Sequence, residues 1–387
     1  MLVTPKVSHS GIVTATTTFL APHFEERRVR MLGIPSAEDR LDIVVWEEHR
    51  NPFETLMKSY LFRHFDHPPK VMVDEELRDF ISRGLASAGF RTVGLSTNVE
   101  LVRQVKSPAE VDILRAVNTG TVAAVRAVRP CLRPGLTENQ VREILDAALT
   151  SVGFGKFFNI VLFEQHAALP HGGFGTGEEK LTHETMVLVD VGAHYMGYSS
   201  DICRSFFIGR PGGNRAGLWD ATANLLTSWP FRTSRRRHLQ QAMGLHSGKL
   251  KIWDVVLEAQ TAAARQLRPN NTAASVDIAA RNVIADYGYG EAFTHRVGHG
   301  IGVKGTVPRK PMEYPIPQLI GRTAHESPYL NKWNTKALLR PGMVFTNEPG
   351  IYLEGKFGVR HEDVYLVKEH GEAELLTSTR AKGPYEP

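Results

Sequence analysis

Cysteine is scarce. Cys131 and Cys203 are the two in 387 residues, so no disulfide framework can form and a reducing compartment is expected. No run approaches the roughly 18 uninterrupted apolar residues of a membrane span. The N-terminal Met-Leu-Val-Thr-Pro-Lys has no basic stretch leading into a strong apolar one, so no signal peptide is expected and the cytoplasm is the expected location. Common catalytic signatures are missing too. There is no Gly-x-Ser-x-Gly elbow, and Gly172-Gly-Phe-Gly-Thr-Gly177 is not spaced as a dinucleotide loop. His295 and His299 stand four apart, but Arg296 replaces the Glu of a zincin helix, and Gly298 and Gly300 oppose helix.

Acidic excess is also absent, and the formal charge is +5. That basicity is local. Residues 209–248 hold six Arg against Asp220, and 305–323 hold Arg309, Lys310 and Arg322 against Glu313, leaving a slightly acidic remainder. Ser234-Arg-Arg-Arg-His238 therefore reads as a solvated basic loop, and no nucleic-acid partner is expected. The length suits two domains.

The first hundred residues read as a small α/β domain. Strand-like Leu41–Trp46 and Lys70–Val73 are followed by Asp74 as a cap, a helix to about Ala88, and a strand at Thr92–Leu95. Val3 to Phe19 promises little more than one strand, so this domain looks shortened. Ser107-Pro-Ala-Glu110 is a capping box that opens a helix to about Val128, and Thr137-Glu-Asn-Gln140 opens another that ends near Gly153. A comparable helix runs from Ser275 to Gly288. Each of these last two leads into strands and then a His beside Gly (His171, His299), a weak internal repeat.

The most informative segment is Val-Leu-Val-Asp190-Val-Gly-Ala-His-Tyr-Met-Gly-Tyr-Ser-Ser-Asp201, which predicts a hairpin. With the turn centred between 195 and 196, Asp190 and Asp201 would lie directly opposite, about 5 Å apart at Cβ. Like charges so placed need a cation between them. Further hard donors follow in Gly298-His299-Gly300-Ile-Gly, Thr346-Asn-Glu348-Pro-Gly and Gly358-Val-Arg-His-Glu362. Any one alone would be unremarkable; five in distinctive settings suit two divalent ions such as Mn²⁺, with Co²⁺ or Zn²⁺ as alternatives.

This order of motifs resembles the pita-bread metallopeptidases, which comprise the Xaa-Pro aminopeptidases, prolidases and methionine aminopeptidases. The likeness covers about 106–387, and Arg103-Gln-Val-Lys-Ser-Pro-Ala-Glu110 looks like the family's usual lead into that domain. It implies an α+β fold: a pita-bread domain at 106–387 behind a creatinase/prolidase-type N-terminal α/β domain at 1–105. That first domain favours the proline-directed branch. The implied activity is hydrolysis of the bond between an N-terminal residue and proline, with a metal-bridged hydroxide as nucleophile. The implied partner is a peptide with proline second; a homodimer is left open.

The resemblance implies Asp190, Asp201, His299, Glu348 and Glu362 as metal ligands, with Glu348 also the base. His171 would hold the peptide and the oxyanion, while Arg360 and Tyr352 would orient the carboxylates from behind. The family's further His falls seven residues after the ligand His, where this chain has Thr306. Removing 305–323 restores that spacing and brings His325 into place as the catalytic His. Segments near 209–248 and 305–323 thus read as insertions, either surface loops or translated intron. Cys203 stands where the family has Thr, and reads as a small buried residue. The alternative function is a catalytically inactive scaffold that binds peptides or proteins, with the second insertion displacing His325.

Overall fold

A computed structural model describes residues 1–7, 11, 13–32, 41–74, 77–209, 233–303 and 326–387. The segment 305–323, most of 209–248, and His325 therefore lie outside the described residues or largely so. The chain divides into two units, Met1–Glu100 and Leu101–Pro387. Among the described residues, no helix is long and apolar enough to cross a membrane.

In the first unit, β1 (Leu2–Val7), β2 (Val13–Pro22) and β3 (Asp42–Trp46) form a sheet in that order, β1 antiparallel and β3 parallel to β2. Helix α1 (Glu26–Arg30) follows β2, and α2 (Pro52–Met57) follows β3. Strands β4 (Lys70–Val73) and β5 (Arg91–Gly94) pair in parallel around helix α3 (Asp79–Ser87). Val44, Leu56, Leu85 and Phe90 make its small core. Two expectations are corrected here. The N-terminal stretch forms a full hairpin of two strands, since the β-branched run Val13-Thr-Ala-Thr-Thr-Thr finds a partner in Leu2–Val7. Helix α3 starts at Asp79 behind Arg78, not at Asp74.

Helix α4 (Thr97–Gln104) precedes two helix pairs, each backed by a sheet. The first pair is α5 (Pro108–Val128) and α6 (Glu138–Ser151), and both capping boxes form as expected. Their apolar faces (Val117, Val125, Val141, Leu145) close on β6 (Gly155–Phe163), β7 (Val187–Tyr195), β8 (Tyr198–Ser199) and β9 (Ile202–Phe206) through Val161, Phe163, Val189 and Phe206. The second pair is α7 (Thr233–Gln266) and α8 (Ala273–Asp286). Trp253, Val256, Ala280 and Ile284 bury against Phe345, Ile351 and Val359. The cap of α8 is Thr272, whose hydroxyl accepts from Ser275 N, so the predicted start at Ser275 sits one turn inside.

The second sheet runs β11-β10-β12-β15-β16, built from β10 (Gly298–Gly300), β11 (Glu326–Leu330), β12 (Val344–Asn347), β15 (Asp363–Leu366) and β16 (Glu374–Leu375). Between β12 and β15 the chain makes the hairpin β13 (Gly350–Leu353) and β14 (Phe357–Arg360).

The register of the aspartate hairpin differs from expectation. Tyr195 pairs with Tyr198 and Asp190 with Cys203, so the turn is Met196-Gly197. Both turn residues have positive φ, 49° and 85°, as a two-residue hairpin turn of this hand demands. Centring the turn one residue earlier would have forced Tyr195 into that region and left the glycine unused. The displacement is two positions, so the faces are preserved: Asp201 lies diagonal to Asp190 on the same side of the ribbon.

Glycine permits the closest approach in this unit. A Cβ on Gly358 would lie 1.8 Å from the carbonyl oxygen of Ala167, whereas one on Gly248, inside α7, meets nothing within 4 Å. Gly358→Ala should therefore cost about 3 kcal/mol or more through forced displacement of backbone. Gly248→Ala should gain about 0.5–1 kcal/mol. Chemical denaturation of both variants checks the opposite signs.

Candidate metal centre

Each candidate ligand comes from a strand or its end. Asp190 is the fourth residue of β7, Asp201 stands between β8 and β9, His299 is the middle of β10, Glu348 follows β12, and Glu362 joins β14 to β15. Asp190, Asp201, His299 and Glu362 are buried, and Glu348 is half-buried.

Local bonds set each side chain. Asn118 of α5 accepts from Asp201 N at 3.2 Å and donates to Leu114 O at 2.8 Å. The backbone N–H of Glu362 donates to Cys203 O at 2.9 Å, and that of Glu348 to Val297 O at 2.7 Å. Asp277 on α8 accepts from Val297 N at 2.7 Å and is paired with Arg281, which donates to Phe293 O at 2.8 Å. Helix α8 thereby delivers the chain into β10. Gly298 and Gly300 then allow β10 to lie against its neighbours: a Cβ on Gly298 would stand 2.1 Å from Thr346 O, and one on Gly300 2.9 Å from Glu326 O.

The imidazole of His299 has its Nδ1 at 2.9 Å from Gly300 O, so Nδ1 carries the proton and Nε2 presents its lone pair. Nε2 stands 3.5 Å from Asp201 Oδ2 and 3.5 Å from Glu348 Oε1. Asp201, His299 and Glu362 each place a ligand atom within 4.8 Å of the others. Among the described residues, the buried Asp190 Oδ1 and Glu362 Oε1 have no hydrogen-bond partner. Burying carboxylate oxygens together without donors is costly, and a divalent cation is what such a donor set fits.

Electrostatics say the same. Burial, and then Asp190, push Asp201 well above the carboxylate range. Burial, then Asp201 and Glu348, do so for Glu362. Burial raises Glu348 to about 7 against the lowering pull of Arg360 and Arg296. Cys203, opposite Asp190, is fully buried and its thiol is pushed up by desolvation, so it packs as a small neutral residue.

Arg360 supports Asp190. Its Nη2 donates to Asp190 Oδ2 at 2.6 Å, while Nη1 donates to Tyr352 OH at 2.8 Å and to Pro170 O at 2.9 Å. Tyr352 in turn donates to His295 Nε2 at 2.7 Å, and His295 Nδ1 donates to Arg296 O at 2.7 Å. Burial, reinforced by Arg360, lowers His295 to about 3, consistent with its accepting role. His171 follows Pro170 on the loop held by Arg360. Partial desolvation, then Arg360, lowers its pKa, and Asp190 is close enough to oppose the shift.

Sequence reasoning missed the polar layer behind the ligands. Asp363 accepts from Arg204 Nη2 at 2.6 Å, Thr377 Oγ1 at 2.6 Å and Gln260 Nε2 at 2.9 Å. Arg204 Nη1 also donates to Glu362 O at 2.5 Å, and Gln260 and Asn347 exchange bonds through their amides and backbone carbonyls. Strand alternation places Asp363 on the face opposite Glu362, but nothing in the order of residues names its partners. His295 was weighed only as half of a zincin motif; its bond to Tyr352 is what the fold adds.

Paired helix-and-sheet halves around a buried carboxylate–imidazole cluster make this a pita-bread metallopeptidase. The chain belongs to metallopeptidase family M24, whose sequence profile matches residues 112–228 and 241–369. It is 36% identical over 382 residues to an uncharacterized peptidase of Schizosaccharomyces pombe, covering 98% of this chain and 71% of that protein. It is 29% identical over 281 residues to an Xaa-Pro dipeptidase of Pyrococcus horikoshii, covering 72% of this chain and 64% of that protein. Thus the match spans less than two thirds of the archaeal relative. Its fold is similar to the crystal structure of dipeptidase PepE from Mycobacterium ulcerans, with a TM-score of 0.72, 28% identity, and coverage of 97% of this chain and 84% of that one.

In the metal-free protein the raised carboxylates oppose the gain of stability with pH that buried His295 and His361, both lowered to about 3, contribute. A carboxyl whose folded pKa lies above its unfolded value stabilises the fold while protonated; that contribution is lost as pH rises through the folded value. For Glu348 the window runs from 4.5 to about 7, and Asp201 and Glu362 shift in the same direction. The Tm gained when saturating Mn²⁺ is added to chelator-treated protein should therefore grow as pH rises across that window, the histidine contribution being common to both states. Paired thermal melts at a series of pH values check this.

Proposed function

We propose that this chain hydrolyses the peptide bond between an N-terminal residue and proline, using two divalent metal ions, Mn²⁺ first among them. The observation that carries the reading is the convergence of His299 Nε2 on the carboxylates of Asp201 and Glu348, 3.5 Å from each, beside buried Glu362 and Asp190. The kinship with an Xaa-Pro dipeptidase supports proline as the second residue.

Asp190, Asp201, His299, Glu348 and Glu362 would hold the ions. When bound, the ions supply Lewis acidity and lower the pKa of water. The chain's own groups do the rest. Glu348 accepts the proton as the water oxygen bonds to the scissile carbonyl carbon, then returns it to the departing imino nitrogen of proline. A carboxyl with a raised pKa is suited to both transfers. His171, next to Pro170 whose carbonyl accepts from Arg360, would grip the peptide and the oxyanion that forms on its carbonyl. Arg360 keeps Asp190 aimed and charge-compensated from behind. His325 is assigned by resemblance as the second imidazole.

The purified chain should release proline from Xaa-Pro peptides, lose that activity on chelation and regain it with Mn²⁺. Glu348→Gln should lower kcat by about 10²–10⁴-fold, the worth of a positioned acid–base group. Activity within a few fold of the parent would refute the assignment of Glu348.

A further inference from the structure

We infer that Glu138 is a positioning residue for this reaction, a single buried carboxylate that clamps both ends of the loop carrying His171. The inference rests on the role proposed for His171.

The loop runs from Phe163, the last residue of β6, to Gly177. It contains Gly172, Gly173, Gly175 and Gly177, and Phe174 is 91% exposed. Beyond the short helical turn Glu164–Ala168, whose Ala167 and Ala168 are buried, the stretch from Leu169 to Gly177 has much backbone entropy to lose and little apolar surface to hold it. Glu138, the first residue of α6, is 0% exposed. Its Oε1 accepts from Phe163 N at 2.7 Å, at the loop's start, and its Oε2 accepts from Gly177 N at 2.5 Å, at the loop's end. His166, inside the loop, brings Nδ1 to 2.9 and 3.0 Å from the two oxygens. Three donors on one desolvated carboxylate are strong, charge-assisted bonds.

Each end also has a partner of its own: Phe163 pairs with Val187 of β7, and Glu164 N donates to Met186 O at 3.2 Å. The returning segment also lies against the start of α6 through Asn139 N to Gly177 O at 2.9 Å and Leu181 N to Leu136 O at 2.8 Å. The Glu138 side chain carries that grip across to Phe163 and His166. On the opposite side, Arg360 donates to Pro170 O while it holds Asp190. His171 is thus suspended between a carboxylate on α6 and the guanidinium behind the metal centre. Neither a glutamine nor an aspartate can replace the clamp. The amide of Gln would turn a donor toward one of the two backbone N–H groups, and the shorter Asp cannot span from Phe163 to Gly177.

A double-mutant cycle tests this. Glu138→Gln should lower kcat/KM on an Xaa-Pro dipeptide by about 10- to 100-fold, and by less than about threefold when His171 is already Ala, because coupled residues are not additive. Its Mn²⁺ stoichiometry should match the parent. Hydrogen–deuterium exchange on the same variant should show faster uptake confined to 163–177. Losses that multiply in the cycle, unchanged uptake in the loop, or faster uptake throughout the chain would each overturn the inference. If Glu138→Gln does not fold, His166→Leu removes one leg of the clamp and enters the same cycle. Full activity in His171→Ala would instead strike the proposed role of His171, and the exchange measurement would still decide whether Glu138 clamps the loop.

Discussion

The structure of the larger unit depends on one constraint: four carboxylates and an imidazole must stand together, largely withdrawn from solvent, without the protein flying apart around them. Desolvation and mutual repulsion raise Asp201, Glu362 and Glu348 together. Two buried arginines offset part of that cost. Arg360 binds Asp190 directly, and Arg204 binds Asp363 and the backbone of Glu362 from behind. Truncating one partner of such a pair leaves the other charge buried and alone.

The same constraint explains the architecture. Ligands taken from five different strand contexts can converge only if the strands are pinned to each other and to rigid helices. Helix α5 does this through Asn118, α8 through Asp277 and Arg281, and α7 through Gln260 and Trp253, whose indole donates to Ser205 O at 2.7 Å. The glycines beside His299 let β10 lie close to both neighbours, so the imidazole is fixed by backbone and not by a flexible stem. The candidate ligands are thus held on rigid elements, not on free loops.

Much of this was legible in the order of residues. Capping boxes at Ser107 and Thr137 marked helices that form as expected, because cap chemistry is local. The five candidate ligands were each identifiable from their neighbours: a hairpin aspartate pair, a histidine between glycines, a glutamate before Pro-Gly, a glutamate in an alternating strand. What failed was register and starting points. The hairpin centre was set one residue early, moving each partner by two positions, because the apolar alternation reads equally well in either frame; the positive φ of Met196 and Gly197 chose between them. Thr272 displaced Ser275 as the cap of α8 for a similar reason, since both residues can cap and only the hydroxyl that meets an N–H does so.

By itself, then, the chain's order of residues determined the kinds of donor available, the faces of the strands that carry them and the helices that flank them, since these follow from side-chain chemistry and from periods of two and 3.6 residues. Only the tertiary structure decided which groups meet. Arg360 with Asp190 and Pro170, Arg204 with Asp363, His295 with Tyr352, and Glu138 with both ends of the His171 loop are contacts between residues far apart in sequence. No local pattern encodes such pairings. They arise because a charge removed from water must find its partner wherever packing has placed one.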